Sequence, residues 1–319
     1  MWTTSIVYTD DSLRWQQRLV RSATHELSLD TRGLKYLCES SRFQEVGGLL
    51  TAVPPGLVFL GGSSFHHLSY HLVGRCASRP LGIVIFDRHD DLLPTLPGHV
   101  ACSSWLGEVV KLPAVSRVLV VGPGGGSLDQ PEDWADDRAA RRIARAATCA
   151  ARLSADPAAG LGASPLGKVK WARSGRPVHE LARFCDSLAR GSSRPRIYVS
   201  IDKDVLAEVE TDWGSGELRL AGLLELLAWL RQYALVVGAD VSGELVPRGP
   251  WPTVAELAQI RKNEEINLAI ARTLMQAASR TLHSPALSTS KRPGRPSRSG
   301  VGVRPGVAEK NTRTFTVGR

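Results

Sequence analysis

Five short apolar runs, rich in β-branched residues, constrain the fold more than anything else in this chain. They are "GLVFLGG" (56–62), "LGIVIFD" (81–87), "SRVLVVG" (116–122), "RIYVSID" (196–202) and "ALVVGAD" (234–240). Each ends in Gly or Asp. Continuous apolar runs of this length fit strands buried on both faces, as in a parallel sheet. Helical patterns lie between or after them, at 66–77, about 133–153, 178–190, 220–232 and 253–280. Strand and helix in alternation predict an α/β fold, a three-layer sandwich of a mainly parallel sheet with helices on both faces. The stretch 154–177 reads as loop.

A chain of 319 residues, 43% hydrophobic, can bury a large core. The net charge of +9 raises the question of nucleic acid until the charge is located. From residue 281 onward there are eight Lys or Arg and a single acid, Glu309, so the tail holds seven of the nine charges. That tail is rich in Ser, Pro, Gly and Arg, and cannot bury enough surface to offset its ordering entropy. The expected organisation is therefore one domain over 1–283 and a disordered basic tail over 284–319. Within the tail, "KRPGRPSR" (291–298) resembles an AT-hook, a segment that could enter an A·T minor groove. In a tail so rich in Pro and Arg it reads as chance, and nucleic acid is not the expected partner. The N-terminus shows no signal-peptide pattern, and no apolar run approaches the roughly 18–20 residues that span a bilayer. Five scattered cysteines form no CxxC pair. A reducing cytoplasm is the expected home.

Ligands of parallel sheets sit beyond the carboxyl ends of the strands, and polar groups gather there in this sequence. "SSFHHLS" follows the first run, "DRHDD" the second, "DKD" (202–204) the fourth and "DVSGE" (240–244) the fifth. In extended chain Asp87, His89 and Asp91 point one way, and so do Asp202 and Asp204. With one imidazole from Phe65-His66-His67 this gives four carboxylates and two imidazoles. Unpaired burial of such groups costs several kcal/mol each, and a bound cation removes that cost. The set is rich for one ion and natural for two, and its oxygen-dominated chemistry favours Mn²⁺. The Gly-rich "VVGPGGGS" (120–127) lacks the spacing of a phosphate cradle and reads as a turn.

"DRHDD" resembles the DxHxD motif of the arginase/agmatinase (ureohydrolase) family, and "SIDKD" its SxDxD motif. "GGSSFHH" sits where that family has a Gly-Gly-Asp-His turn, and "DVSGE" resembles the later strand end whose Glu faces a guanidinium. The matches run in family order over about 56–245. The resemblance implies an arginase-like fold and a binuclear manganese hydrolase that cleaves an amidino C–N bond of a small cationic substrate and releases urea. It implies two Mn²⁺ per chain held by Asp87, His89, Asp91, Asp202 and Asp204. His66, the first imidazole after the turn, is the preferred sixth ligand over His67, with His71 a helix-face residue. Glu244, with Asp240 as second choice, would hold the cationic group, and Lys203 would point to the opposite face. A homo-oligomer is also common in the family.

The departures are as informative. The family's Asp-His turn reads Ser63-Ser64-Phe65-His66 here, and Ala207-Glu208 stand where it has Asp-Pro. In place of its His-Gly proton shuttle the loop reads "LLPTLPGHVACSSWLGE", with His99 or Cys102 as candidates. Two rival readings follow: a deacetylase-like amidohydrolase with a single zinc, and a non-catalytic binding protein on the same fold. Because the tail adds little core, truncation after Arg280 should leave melting temperature and metal content unchanged. A large drop in melting temperature would show that the tail docks on the body.

Overall fold

The computed structural model describes residues 2–122, 169–172, 177–189 and 194–276. Eight strands form one sheet: β1 (Thr3–Tyr8), β2 (His25–Ser28), β4 (Gly56–Phe59), β5 (Leu81–Phe86), β7 (Val115–Val121), β8 (Val169–Ala172), β9 (Arg196–Asp202) and β10 (Leu235–Ser242). Their order is β2-β1-β4-β10-β9-β5-β7-β8, and every pairing is parallel. A separate antiparallel ribbon joins β3 (Leu37–Glu39) to β6 (His99–Ala101).

Alternation along the strands divides the interior in two. Leu57 and Phe59, Val84 and Phe86, and Ile197, Val199 and Ile201 all enter one core. Val58 and Leu60, Ile83 and Ile85, and Tyr198 enter the other. Helices α1 (Gln17–Ser22), α5 (Pro177–Leu188), α6 (Leu220–Tyr233) and α7 (Val254–Met275) contribute to the first through Leu19, Phe184, Leu227 and Ile270. Helices α2 (Ser40–Leu50), α3 (Ser69–Cys76) and α4 (Trp105–Val109) contribute to the second through Val46, Val73 and Trp105. Sheet strands with period-two side chains thus have a helical layer on each face. This is the three-layer α/β sandwich expected from the sequence.

The five apolar runs all became strands. Three further strands did not stand out. In β1 the buried Thr4 and Ser5 dilute the apolar signal. β2 is an edge strand that alternates half-buried with exposed residues. β8, at the opposite edge, corrects the reading of 154–177 as loop: its four residues pair with β7. The helix expected at 133–153, the Gly-rich turn beyond Gly122 and the tail 284–319 lie outside the described residues. Among the described residues no helix is long and apolar enough to cross a membrane.

The order matters for chemistry. It sets β4, β10, β9 and β5 side by side, the four strands whose carboxyl ends carry the polar residues. Close approach of β4 to β1 depends on Gly56, whose φ is +152°; a β-carbon there would strike the Thr3 backbone. Gly56→Ala should therefore lower stability by about 1–3 kcal/mol. Gly48→Ala, in α2 with open space around it, should raise stability by up to about 1 kcal/mol. Thermal melting of both variants checks the pair, and equal effects would contradict it.

Candidate metal centre

Three loops bring the candidate ligands together, and a fourth, after β10, packs behind them. After β4 the chain turns through Gly61-Gly62 into a 3₁₀ turn, Ser63–Leu68. After β5 it bends at Arg88-His89 on the way from Asp87 to Asp91. After β9 a 3₁₀ turn, Lys203–Val205, is capped by the Asp202 carboxylate, which accepts from the Asp204 amide at 3.1 Å. After β10 comes Gly243-Glu244.

The ligand-type atoms converge as two groups of three that share Asp87. His66, Asp87 and Asp202 form one, and Asp87, His89 and Asp204 the other; within each, one atom per residue lies within 4.8 Å of the others. Asp91 extends the first group, because its Oδ2 is 3.2 Å from His66 Nδ1, as is Asp87 Oδ2. His89 Nδ1 lies 2.7 Å from Asp204 Oδ2. All six residues expected from the sequence are therefore in one cluster. His66 is the imidazole at its centre. His67 is fully buried and packs against Phe43, as does His71.

Two atoms test whether a metal fits. His66 Nδ1 is buried among three carboxylates yet makes no hydrogen bond with any of them, and Asp204 Oδ2 is likewise without a hydrogen-bonding partner despite the close imidazole. Lone pairs that face one another across such distances without a bridging N–H suit a common cation. The other nitrogen of His66 fixes its tautomer. Ser200 Oγ donates to Asp240 Oδ1 at 2.9 Å, so its oxygen is left to accept from His66 Nε2, also at 2.9 Å. Nδ1 is then the lone-pair nitrogen, turned into the cluster.

The remaining ligands are also held from behind. Ser63 Oγ donates to Asp202 Oδ1 at 2.9 Å, and the Arg88 amide donates to Asp204 Oδ1 at 3.1 Å. Asp91 sits at φ +49°, a conformation side-chain-bearing residues rarely take. Trp105 secures it: its indole N–H donates to Asp91 Oδ2 at 2.5 Å, while the Leu106 amide donates to the Asp91 carbonyl. The Trp105 ring also packs on His66, with centroids 4.8 Å apart.

The electrostatics follow from crowding. Burial and the Asp87 charge push Asp91 up to about 7 and raise Asp202. Burial, then Asp202 and Asp87, raise Asp204 well above the carboxylate range. Burial works against a charged imidazole at His89, but Asp204 and Asp87 outweigh it and push it up to about 11. The same contest, with Asp87 and Asp91 as partners, raises His66. The cluster draws protons as a substitute for positive charge, and a divalent ion supplies that charge more compactly.

A small pocket opens onto the cluster, walled by Ser63, Asp90, Leu93, Cys102, Ser103 and Trp213 as well as the candidate ligands other than Asp204. The two residues expected to act on substrate are absent from this wall. His99 lies on β6 opposite Glu39, its Nδ1 3.1 Å from the Pro97 carbonyl. Strand pairing alternates the side chains, so Val100 is buried and His99 is turned away. Glu244 is also elsewhere. Its Oε1 accepts from Lys203 Nζ at 2.5 Å and from Asn267 Nδ2 at 2.6 Å, and its Oε2 from Gln16 Nε2 at 2.6 Å. Asp240, the second choice, is wholly buried behind His66 and accepts from Ser69 and Ser200. Lys203, fully buried at the start of the 3₁₀ turn, reaches Glu244 and is absent from the pocket wall. Sequence reading missed Trp105 and Trp213. Trp213 packs edge-on against His89, centroids 5.7 Å apart, from a loop with no motif to mark it.

No protein-family model matches the chain. An uncharacterized protein of Thermotoga maritima is 26% identical over 260 residues, which cover 81% of this chain and 84% of that one. Among solved structures, formimidoylglutamase from Bacillus subtilis has a TM-score of 0.54 at 14% identity, covering 86% of this chain and 87% of its own. Arginase from Bacillus cereus has a TM-score of 0.52 at 13% identity, covering 85% and 96%. A hypothetical agmatinase from Burkholderia thailandensis has a TM-score of 0.50 at 16% identity, covering 85% of each chain. The chain has the fold of the ureohydrolase family, and at these identities the likeness to solved structures is one of fold.

Ser200→Ala should free His66 to rotate while removing no ligand. Metal affinity should fall about 10–100-fold, the usual cost of losing such a partner. Calorimetric titration with Mn²⁺ checks this, and an unchanged affinity would show that Ser200 does not orient His66.

Proposed function

We propose that the protein is a metal-dependent hydrolase with a two-ion centre of manganese type, cleaving a non-peptide C–N bond of an amidino compound. The observation that carries this reading is the pair of ligand groups sharing Asp87. His66, Asp91 and Asp202 would join Asp87 in holding one ion, and His89 and Asp204 would join it in holding the other. When bound, such an ion pair supplies an acidified water near neutral pH. The deacetylase-like alternative needs one ion and leaves the second group without a purpose.

The chain's own residues account for the rest. Ser63, Ser200 and Trp105 keep the ligands in place. Leu93 and Trp213 form apolar walls that limit water. The carboxylates gathered at the pocket favour a cationic amidino group, and the substrate is small because the pocket is. Apart from His66 and His89, the described pocket wall contains no imidazole. Cys102 is there, but burial, then the Asp91 charge, push its thiol up to about 12, so it is a weak acid for a leaving amine. Together with the engagement of Glu244 by Lys203, this supports a second reading, a metal-binding protein without turnover. A reducing compartment such as the cytoplasm suits the four described cysteines, all of them unpaired.

The test is a screen of guanidino and formimidoyl compounds for urea or ammonia release by Mn²⁺-loaded protein. The first reading predicts turnover that falls by at least about 10²-fold in Asp204→Ala and stays near wild type in His99→Ala. Metal binding without release from any compound favours the second reading. Loss of turnover in His99→Ala would return that residue to the site.

A further inference from the structure

Behind the ligand cluster lies a second set of buried polar groups that the chemistry above does not use. Lys203 is 0% exposed, Glu244 2%, Gln16 1% and Asn267 0%. They come from four parts of the chain: the turn after β9, the end of β10, the loop before α1, and the middle of α7. Their contacts close on one another. Besides the three bonds to Glu244, Asn267 Nδ2 donates to Gln16 Oε1 at 2.8 Å. A lysine this deep is rare, and breaking a buried pair leaves an uncompensated charge.

The pair is close to the ligands on every side. Lys203 stands between Asp202 and Asp204 in sequence. Gly243, the residue before Glu244, has φ +89°, and a β-carbon there would lie 2.5 Å from Asp202 Oδ1 and 2.6 Å from the Lys203 amide nitrogen. The end of β10 is therefore pressed onto the ligand turn. The Glu244 amide donates to the Gly61 carbonyl at 3.1 Å, which ties the same point to the turn that leads to Ser63 and His66.

The geometry points to the Lys203–Glu244 ion pair as a positioning device for the ligand turn: it clamps Asp202–Asp204 against the end of β10 and fixes the spacing of the two ligand groups. The inference rests on the two-ion reading above. The clamp acts through the turn, so Lys203 and Glu244 are positioning residues and touch neither ion nor substrate. It also gives the carboxylate of "DVSGE" a role other than holding a substrate cation.

The experiment compares full-length wild type, Glu244→Gln and the double variant Lys203→Met/Glu244→Gln. Metal-free melting temperature and Mn²⁺ affinity and stoichiometry by calorimetry are the readouts. The double variant removes both charges together and so avoids leaving one unpaired. The expected result is a folded double variant whose Mn²⁺ affinity is about 10–100-fold weaker than wild type, with at least one site per chain still filling. Glu244→Gln, which keeps the side-chain shape, should also fold and lose affinity to a smaller extent. If the double variant does not fold, Glu244→Gln carries the test on the same readout. Wild-type affinity and stoichiometry in the folded variants, even with a lowered melting temperature, would overturn the clamp and leave the two-ion reading standing. Failure of wild type itself to bind Mn²⁺ would overturn both.

Discussion

Mutual repulsion among four carboxylates at one rim of the sheet is the constraint to which the rest of this structure answers. Asp87, Asp91, Asp202 and Asp204 are all buried and lie around two imidazoles. No fold gains stability from such a cluster alone, because desolvation and like charge both oppose it. The cost is met in layers. Ser63, Trp105, and the Arg88 and Asp204 amides donate hydrogen bonds to the carboxylates. The carboxylates in turn raise the pKa of both imidazoles. A cation in the middle would complete the compensation, and it suits His66 Nδ1 and Asp204 Oδ2, which make no hydrogen bond.

The architecture makes that concentration of charge possible. A parallel sheet sends every strand in one direction, so carboxyl-terminal loops share a rim. The order β4-β10-β9-β5 then places four polar loops next to one another in space although they are far apart in sequence. Helices on both faces bury β4 and β5 throughout and nearly all of β9, so these loops leave the sheet from rigid supports. Asp91 held at a positive φ and Gly243 pressed against Asp202 are local signs of the same tight assembly.

Much of this was legible in the sequence, for definite reasons. Interior strands such as Leu81–Phe86 announce themselves because both faces are apolar. Asp87, His89 and Asp91 stand out by their spacing after an apolar strand, as do Asp202 and Asp204, although bends and a 3₁₀ turn rather than extended chain bring them together. What was not legible depended on partners distant in sequence. Nothing local distinguishes Trp105 as the donor to Asp91, and nothing in "DVSGE" reveals that Lys203, Gln16 and Asn267 take up Glu244. His99 looked near the cluster by counting residues, but it lies in the three-residue strand β6, a pairing with no local signal, and is absent from the pocket wall. β8 was lost in a polar stretch because four residues at an edge give almost no signal.

The departures from the expected pattern lie in the loops around the pocket, while the six candidate ligands converge. The strand-end glutamate is taken up by an internal lysine, and this combination suits metal binding under different local chemistry. The central claim is that two cations sit on either side of Asp87. Crystals soaked in Mn²⁺ and measured at the manganese absorption edge test it directly. Two anomalous peaks roughly 3.5–4 Å apart, with the Asp87 carboxylate between them, are predicted. A single peak, or manganese bound away from this cluster, would contradict it.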